Sequence, residues 1–231
     1  MAPLARKFVS LINFVPFVFV LFVFTFMLPD APLWHVYVYR DEEFVAAAPV
    51  AHVPVQPPVR SSVCPPADLP PEWDVRAARL ADLDRDGVSE CVLLVWRPWQ
   101  DWPIMRWSAS PSPIAAHRDD KGDSAHIILV APYSGARSYR ELWAGSALAW
   151  PVLQIEAGDV DGDGWDELVV LEGDYAVGRK GPAQDVAVWR WNGFGFTMDW
   201  RSPSGQLVDL ALADLDIDGV SEILVRPDGG P

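Results

Sequence analysis

Asp82-Leu83-Asp84-Arg85-Asp86-Gly87-Val88-Ser89-Glu90 runs directly into Cys91-Val92-Leu93-Leu94-Val95-Trp96. Nine residues crowded with carboxylates and turned by a glycine are followed by six apolar residues without a break. The pattern returns as Asp159-Val160-Asp161-Gly162-Asp163-Gly164-Trp165-Asp166-Glu167 and again as Asp214-Leu215-Asp216-Ile217-Asp218-Gly219-Val220-Ser221-Glu222. The shared form is D-x-D-x-D-G-x-x-E. A small residue precedes each copy (Ala81, Gly158, Ala213), and an apolar run follows each.

This spacing has a chemical reason. Carboxylates at positions 1, 3 and 5 of a tight loop converge on one point, and glycine at position 6 permits the turn. The carbonyl of position 7 can add a neutral oxygen, and the glutamate at position 9 can close the shell. Such an all-oxygen cage suits a hard cation, Ca²⁺ better than Mg²⁺ because its geometry is looser. Without a cation the cage opposes itself: two carboxylates 4 Å apart repel by about 4 kcal/mol at an effective dielectric of 20. An EF-hand would need a glutamate at position 12 and flanking helices. Position 12 is Leu93, Val170 and Val225, so that motif is rejected. Solvated turns are the plainer reading of any one copy. Three copies with the same four acidic positions favour metal.

The rest of the C-terminal part reads as strands. Cys91–Trp96, His126–Val130, Leu168–Leu171, Val186–Trp191, Phe194–Trp200 and Glu222–Val225 are short apolar or alternating runs separated by turn residues. Asn192-Gly193 between two of them predicts a two-residue type I′ hairpin. No helical period persists, so residues 72–231 are expected to form an all-β domain.

The N-terminal part differs. Residues 8–28 carry no charge and hold seven of the ten phenylalanines. As a helix they would span about 31 Å, enough to cross a bilayer. Arg6 and Lys7 precede them, and Asp30, Asp41, Glu42 and Glu43 follow. The positive-inside rule then places residues 1–7 in the cytoplasm and the bulk outside, with Trp34, Tyr37 and Tyr39 in an interfacial belt. A cleaved signal peptide is the rival reading; the length of the run favours a retained single-pass anchor. Residues 29–71 hold ten of the 22 prolines and read as an extracytoplasmic Pro-rich linker, either a disordered tether or a strap along a partner.

The acidic nonapeptide between two strands resembles the calcium loop of FG-GAP/VCBS repeats, the units of integrin-α-type β-propellers. The resemblance covers 82–90, 159–167 and 214–222 with their flanking strands. It implies up to three structural Ca²⁺ ions. Their ligands would be Asp82, Asp84, Asp86, Val88 and Glu90; Asp159, Asp161, Asp163, Trp165 and Glu167; and Asp214, Asp216, Asp218, Val220 and Glu222. Val88, Trp165 and Val220 would give backbone carbonyls only. It also implies a non-catalytic extracellular binding role. The literal Phe-Gly and Gly-Ala-Pro elements are missing, and Val130-Ala131-Pro132-Tyr133 is at best an echo of them. The copies start 77 and 55 residues apart, an irregular period. About 160 residues allow roughly three blades of ~50 residues, too few to close a ring. The expectation is therefore a partial β-propeller-like domain with exposed edges, the last covered by a partner.

Arg97–Ala125 is a long insertion carrying Trp99, Trp102 and Trp107 with Arg97 and Arg106, and Trp96 at its root. It reads either as an interface anchor or as tryptophans folded back over the sheet. Cys64 and Cys91 allow a disulfide, or leave Cys91 free and buried. His35, His52, His117 and His126 show no ligand spacing. The net charge of −14 argues against nucleic-acid binding, and no phosphate loop, nucleophile elbow or H-E-x-x-H is present. The three loops hold 13 of the 32 acidic residues, so most of the charge sits in them.

The reading is a non-catalytic, membrane-anchored, extracytoplasmic Ca²⁺-binding β domain in the cytoplasmic or plasma membrane. It is expected to serve as an accessory or scaffold subunit of a larger membrane complex, an electron-transfer assembly being one option with no residue behind it, through the helix, the linker and the tryptophan loop. A free-standing adhesion or carbohydrate-binding module is the alternative.

Overall fold

The computed structural model describes residues 33–53, 64–132 and 138–229. The predicted anchor at 8–28 lies outside them. Among the described residues no helix is long and apolar enough to cross a membrane.

The described residues are all-β, with twelve strands in three four-stranded antiparallel sheets. Sheet one is a meander of β3 (Asp74–Ala81), β4 (Glu90–Pro98), β5 (Asp123–Pro132) and β6 (Tyr139–Ala144). Sheet two repeats it with β7 (Val152–Gly158), β8 (Glu167–Glu172), β9 (Asp185–Trp191) and β10 (Phe196–Arg201). Sheet three joins β11 (Leu207–Ala213) and β12 (Glu222–Pro227) to an N-terminal hairpin, β1 (Trp34–Arg40) and β2 (Glu43–Val50), in the order β11-β12-β1-β2.

Each sheet opens with a hairpin whose turn is one acidic nonapeptide. The register is the same each time: Ala81 faces Glu90, Gly158 faces Glu167 and Ala213 faces Glu222. A register shift also recurs at one place, between Val75 and Ala77, Val152 and Gln154, and Leu207 and Asp209. A bulge strengthens local twist. The sequence repeat is therefore a structural repeat that extends well upstream of the acidic residues.

Sheet two lies between the others. Val92, Leu94, Ile127 and Leu129 of sheet one pack against Ile155, Leu168, Val170 and Ala187 of sheet two. Val169, Leu171, Val186 and Val188 on its opposite face pack against Leu210, Ile223 and Val225 of sheet three. This explains why the strand after each acidic loop is apolar without alternation: β4, β8 and β12 are covered on both faces. Arg79 of β3 adds a two-pronged bond to Glu156 of β7 at 2.6 and 2.5 Å. No buried cluster among the described residues joins sheets one and three, and the sheets do not close a propeller ring.

Three expectations are corrected here. Residues 34–50, read as linker, are the hairpin that completes sheet three. Trp34, Tyr37 and Tyr39 accordingly belong to β1, where Tyr37 meets Trp200 edge-on at 5.0 Å. The edge of β12, assigned to a partner, is taken by β1. The hairpin between β9 and β10 turns one residue later than expected: Trp191 pairs with Phe196, and the Asn192 amide donates to the Gly195 carbonyl at 3.0 Å, which leaves Gly193 and Phe194 at the tip. Of the expected Asn-Gly pair only Gly193 has positive φ, and Asn192 Oδ1 instead accepts the amides of Phe194 and Gly195, both at 3.0 Å.

Cys64 and Cys91 form a disulfide, with Cα atoms 5.5 Å apart. It ties the end of the Pro-rich stretch to β4, and Cys64, Leu69 and Trp73 cover the outer face of sheet one.

His126 of β5 is buried. Its Nδ1 donates to the Gly145 carbonyl at 2.9 Å, which leaves Nε2 to accept the Ser124 hydroxyl at 2.8 Å. Burial pushes its pKa down to about 4, the Gly145 bond opposes this, and the Arg97 charge adds to it. The unfolded chain takes up a proton near pH 6.5 while the fold resists it. This contribution to stability is present above pH 6.5 and is lost as pH falls towards 4. Denaturant titrations of wild type and His126→Gln at several pH values isolate the effect. The stability of wild type relative to the variant should fall by about 1–1.5 kcal/mol from pH 7.5 to 5.5. A constant difference would contradict a neutral, buried His126.

Candidate cation-binding loops

Each acidic loop is folded by its own side chains. The position-1 carboxylate accepts the glycine amide of position 6: Gly87 to Asp82 at 2.9 Å, Gly164 to Asp159 at 2.9 Å, Gly219 to Asp214 at 3.0 Å. The position-5 carboxylate accepts the amide of position 7: Val88 to Asp86 at 2.8 Å, Trp165 to Asp163 at 2.9 Å, Val220 to Asp218 at 2.8 Å. The position-9 glutamate accepts the amide of position 2: Leu83 to Glu90 at 3.0 Å, Val160 to Glu167 at 3.2 Å, Leu215 to Glu222 at 2.7 Å. The apolar side chain at position 2 is thereby held inward, and Leu83 and Val160 are fully buried.

Two residues per loop take left-handed backbone. Position 6 is glycine in all three, at φ 83°, 81° and 94°. Position 4 is Arg85, Gly162 and Ile217, at φ 59°, 80° and 65°. The glycine of the middle copy was the one sequence sign of the second requirement. A β-branched residue there is strained.

Carboxylate oxygens of Asp82, Asp84 and Asp86 lie within 4.8 Å of one another, as do those of Asp214, Asp216 and Asp218. In the middle loop the converging set is Asp159, Asp161 and Glu167. The position-9 glutamates are buried, Glu167 to 1 % exposure. Burial raises the pKa of Glu90 and Glu222 above the usual carboxylate range, against the amide bonds from Leu83 and Leu215, with neighbouring aspartates adding to the rise. Glu167 is pushed up to about 8, first by burial, then by Asp161 and Asp163, against the Val160 amide bond and the Arg190 charge.

The donor set fits a hard divalent ion in the first and third loops. The ligands are oxygen only, and Asp82 Oδ1 is buried with no hydrogen-bond partner. Among the described residues no salt bridge reaches the acidic residues of either loop. The middle loop differs. Arg190 of β9 bonds Asp161 and Asp163, the latter at 2.6 Å, and lies 3.7 Å from Glu167 Oε1. Sequence reasoning missed it, because only the β8–β9 pairing brings Arg190 to this loop.

The loops also touch one another. The Asp82 amide donates to Asp166 Oδ2 at 2.8 Å, and the Ser221 amide donates to the Asp159 carbonyl at 2.9 Å. In both cases position 1 of one loop meets position 8 of the next. The Arg85 guanidinium lies 6.0 Å from the centre of the Trp165 ring. The three loops form one contiguous acidic end.

Part of the tryptophan insertion folds back and part of it is exposed. Trp96 is buried, and the Trp99 indole donates to the Ile114 carbonyl at 2.9 Å beneath Arg118. Trp102 donates to Ser146 Oγ at 3.0 Å. Ile104 and Trp107, in the short 3-10 turn Pro103–Trp107, are 61 % and 78 % exposed.

No protein-family model matches the chain, and no curated protein matches it.

The strain at position 4 can be tested directly. Ile217 is 89 % exposed, so its side chain contributes little packing. Ile217→Gly should raise stability by about 1 kcal/mol in denaturant titration, as left-handed strain is relieved. Ile217→Val, still β-branched, should leave stability unchanged. No gain from glycine would contradict left-handed backbone at this position.

Proposed function

We propose that this chain is a non-catalytic, calcium-stabilised β domain held outside the membrane by an N-terminal anchor, serving as an accessory or scaffold subunit of a larger membrane complex. The observation that carries the reading is the acidic end itself: three hairpin turns with one bonding scheme, two of them with three aspartates gathered around one point and, among the described residues, no salt bridge to those carboxylates. Calcium bound there locks the hairpin turns, and the locked turns fix the sheets that face a partner.

The repeated register and bulge support descent of the three sheets from one FG-GAP/VCBS-like unit, arranged as a partial propeller. The Cys64–Cys91 disulfide supports an oxidising, extracytoplasmic setting. The uncharged run at 8–28, with basic residues before it and acidic residues after it, supports the anchor and its orientation. Exposed Ile104 and Trp107 supply apolar side chains for partner contact.

Two measurements on the full chain in mild detergent test this. Saturating Ca²⁺ at about 100 times its dissociation constant contributes about 2.7 kcal/mol per ion. For a domain of this size that is roughly 5–10 °C in melting temperature. Chelation should lower the melting temperature by at least that much; an unchanged melting curve would sink the structural-calcium reading. Native purification should bring other membrane subunits in fixed ratio. A lone monomer that binds glycans would instead favour the adhesion-module alternative.

A further inference from the structure

We infer that Arg190 is the resident cation of the middle loop, so that the domain takes two divalent ions, in the first and third loops, rather than three. The inference rests on the calcium reading and departs from it at one loop.

The geometry is specific. Arg190 Nε bonds Asp199 Oδ2 of β10 at 2.7 Å, which fixes the guanidinium from behind. Its Nη1 bonds Asp163 Oδ2 at 2.6 Å, and its Nη2 bonds Asp161 Oδ2 and lies 3.7 Å from Glu167 Oε1. These are positions 3, 5 and 9 of the loop, the carboxylates that would surround a metal. Glu167 Oε1 is buried and has no hydrogen-bond partner, so the nearby guanidinium is the positive charge this oxygen faces.

The loop has changed shape around the arginine. In the first and third loops positions 1, 3 and 5 converge; in the middle loop positions 1, 3 and 9 do, and Asp163 is turned to Arg190 Nη1. A metal entering here would have to expel the guanidinium and recover Asp163.

The strand register explains why only this loop has the substitution. Leu168 pairs with Trp189, so one step further the position-9 glutamate faces Arg190 across the β8–β9 ladder. Cys91 pairs with Val130 and Ile223 with Tyr37, so the same step sets Glu90 opposite Ala131 and Glu222 opposite Val38. Ala131 and Val38 are uncharged and cannot neutralise a cage. Arginine at this register position supplies a cation covalently in the sheet that is flanked on both sides. The middle hairpin is then held whatever the metal supply, and the outer two respond to it.

Calcium stoichiometry of the full chain in detergent, by equilibrium dialysis, tests this. Wild type should bind two ions. Asp86→Asn and Asp218→Asn should each lose one, whereas Asp163→Asn should still bind two. Arg190→Ala should bind three, and its melting temperature in chelator should fall below wild type and recover with Ca²⁺. Three ions in wild type, or loss of one in Asp163→Asn, would overturn the assignment of Arg190. No ions in any form would overturn the calcium reading itself, and the two-ion statement with it. Should Arg190→Ala not fold, the wild-type and Asp163→Asn stoichiometries still decide.

Discussion

Carboxylates gathered at the turn of a hairpin repel one another, and that repulsion governs this fold. Each sheet starts from such a turn, and each turn has the same partial remedy. Backbone amides at positions 2, 6 and 7 point at the carboxylates of positions 9, 1 and 5. These bonds offset part of the repulsion and shape the loop, but an amide dipole does not cancel a full charge. The acidic clusters could hold a cation that cancels the remainder. The middle hairpin has one in Arg190, and the outer two have the geometry to receive one.

The packing follows from those turns. A hairpin pinned at its turn has its register set, and the register decides which face each side chain takes. With the same register and bulge in all three hairpins, β4, β8 and β12 arrive doubly covered, and sheet two is sealed between its neighbours. The two outer faces are managed differently. Sheet one is covered by the segment stapled through Cys64–Cys91, and sheet three is completed by a hairpin from the other end of the chain.

The legible parts of the sequence were those whose signal is local. The acidic loops announce themselves through charge spacing, and the strands behind them through unbroken apolar runs. The lead-in strands β3, β7 and β11 were not read, because a bulge interrupts their alternation and only part of each is covered. β1 and β2 were hidden by the prolines around them. The strand that β1 joins, β12, lies near the other end of the chain, and no local pattern reports a pairing at that distance. Arg190 read as an ordinary hairpin residue for the same reason: its meaning depends on what the neighbouring strand places opposite it. Of the candidate ligands, the acidic positions were legible by spacing. The inequality among the three loops was not, because it arises from tertiary contact.

Hydrogen exchange at the position-6 glycine amides tests the account most directly, since each of those amides bonds the carboxylate that a cation would hold. On chelation of Ca²⁺ the amides of Gly87 and Gly219 should exchange faster by about tenfold or more, reflecting local opening of the outer turns, while Gly164, in the loop that Arg190 neutralises, keeps its protection. Equal protection of Gly87 and Gly219 with and without Ca²⁺ would contradict the claim that a bound cation holds these turns together.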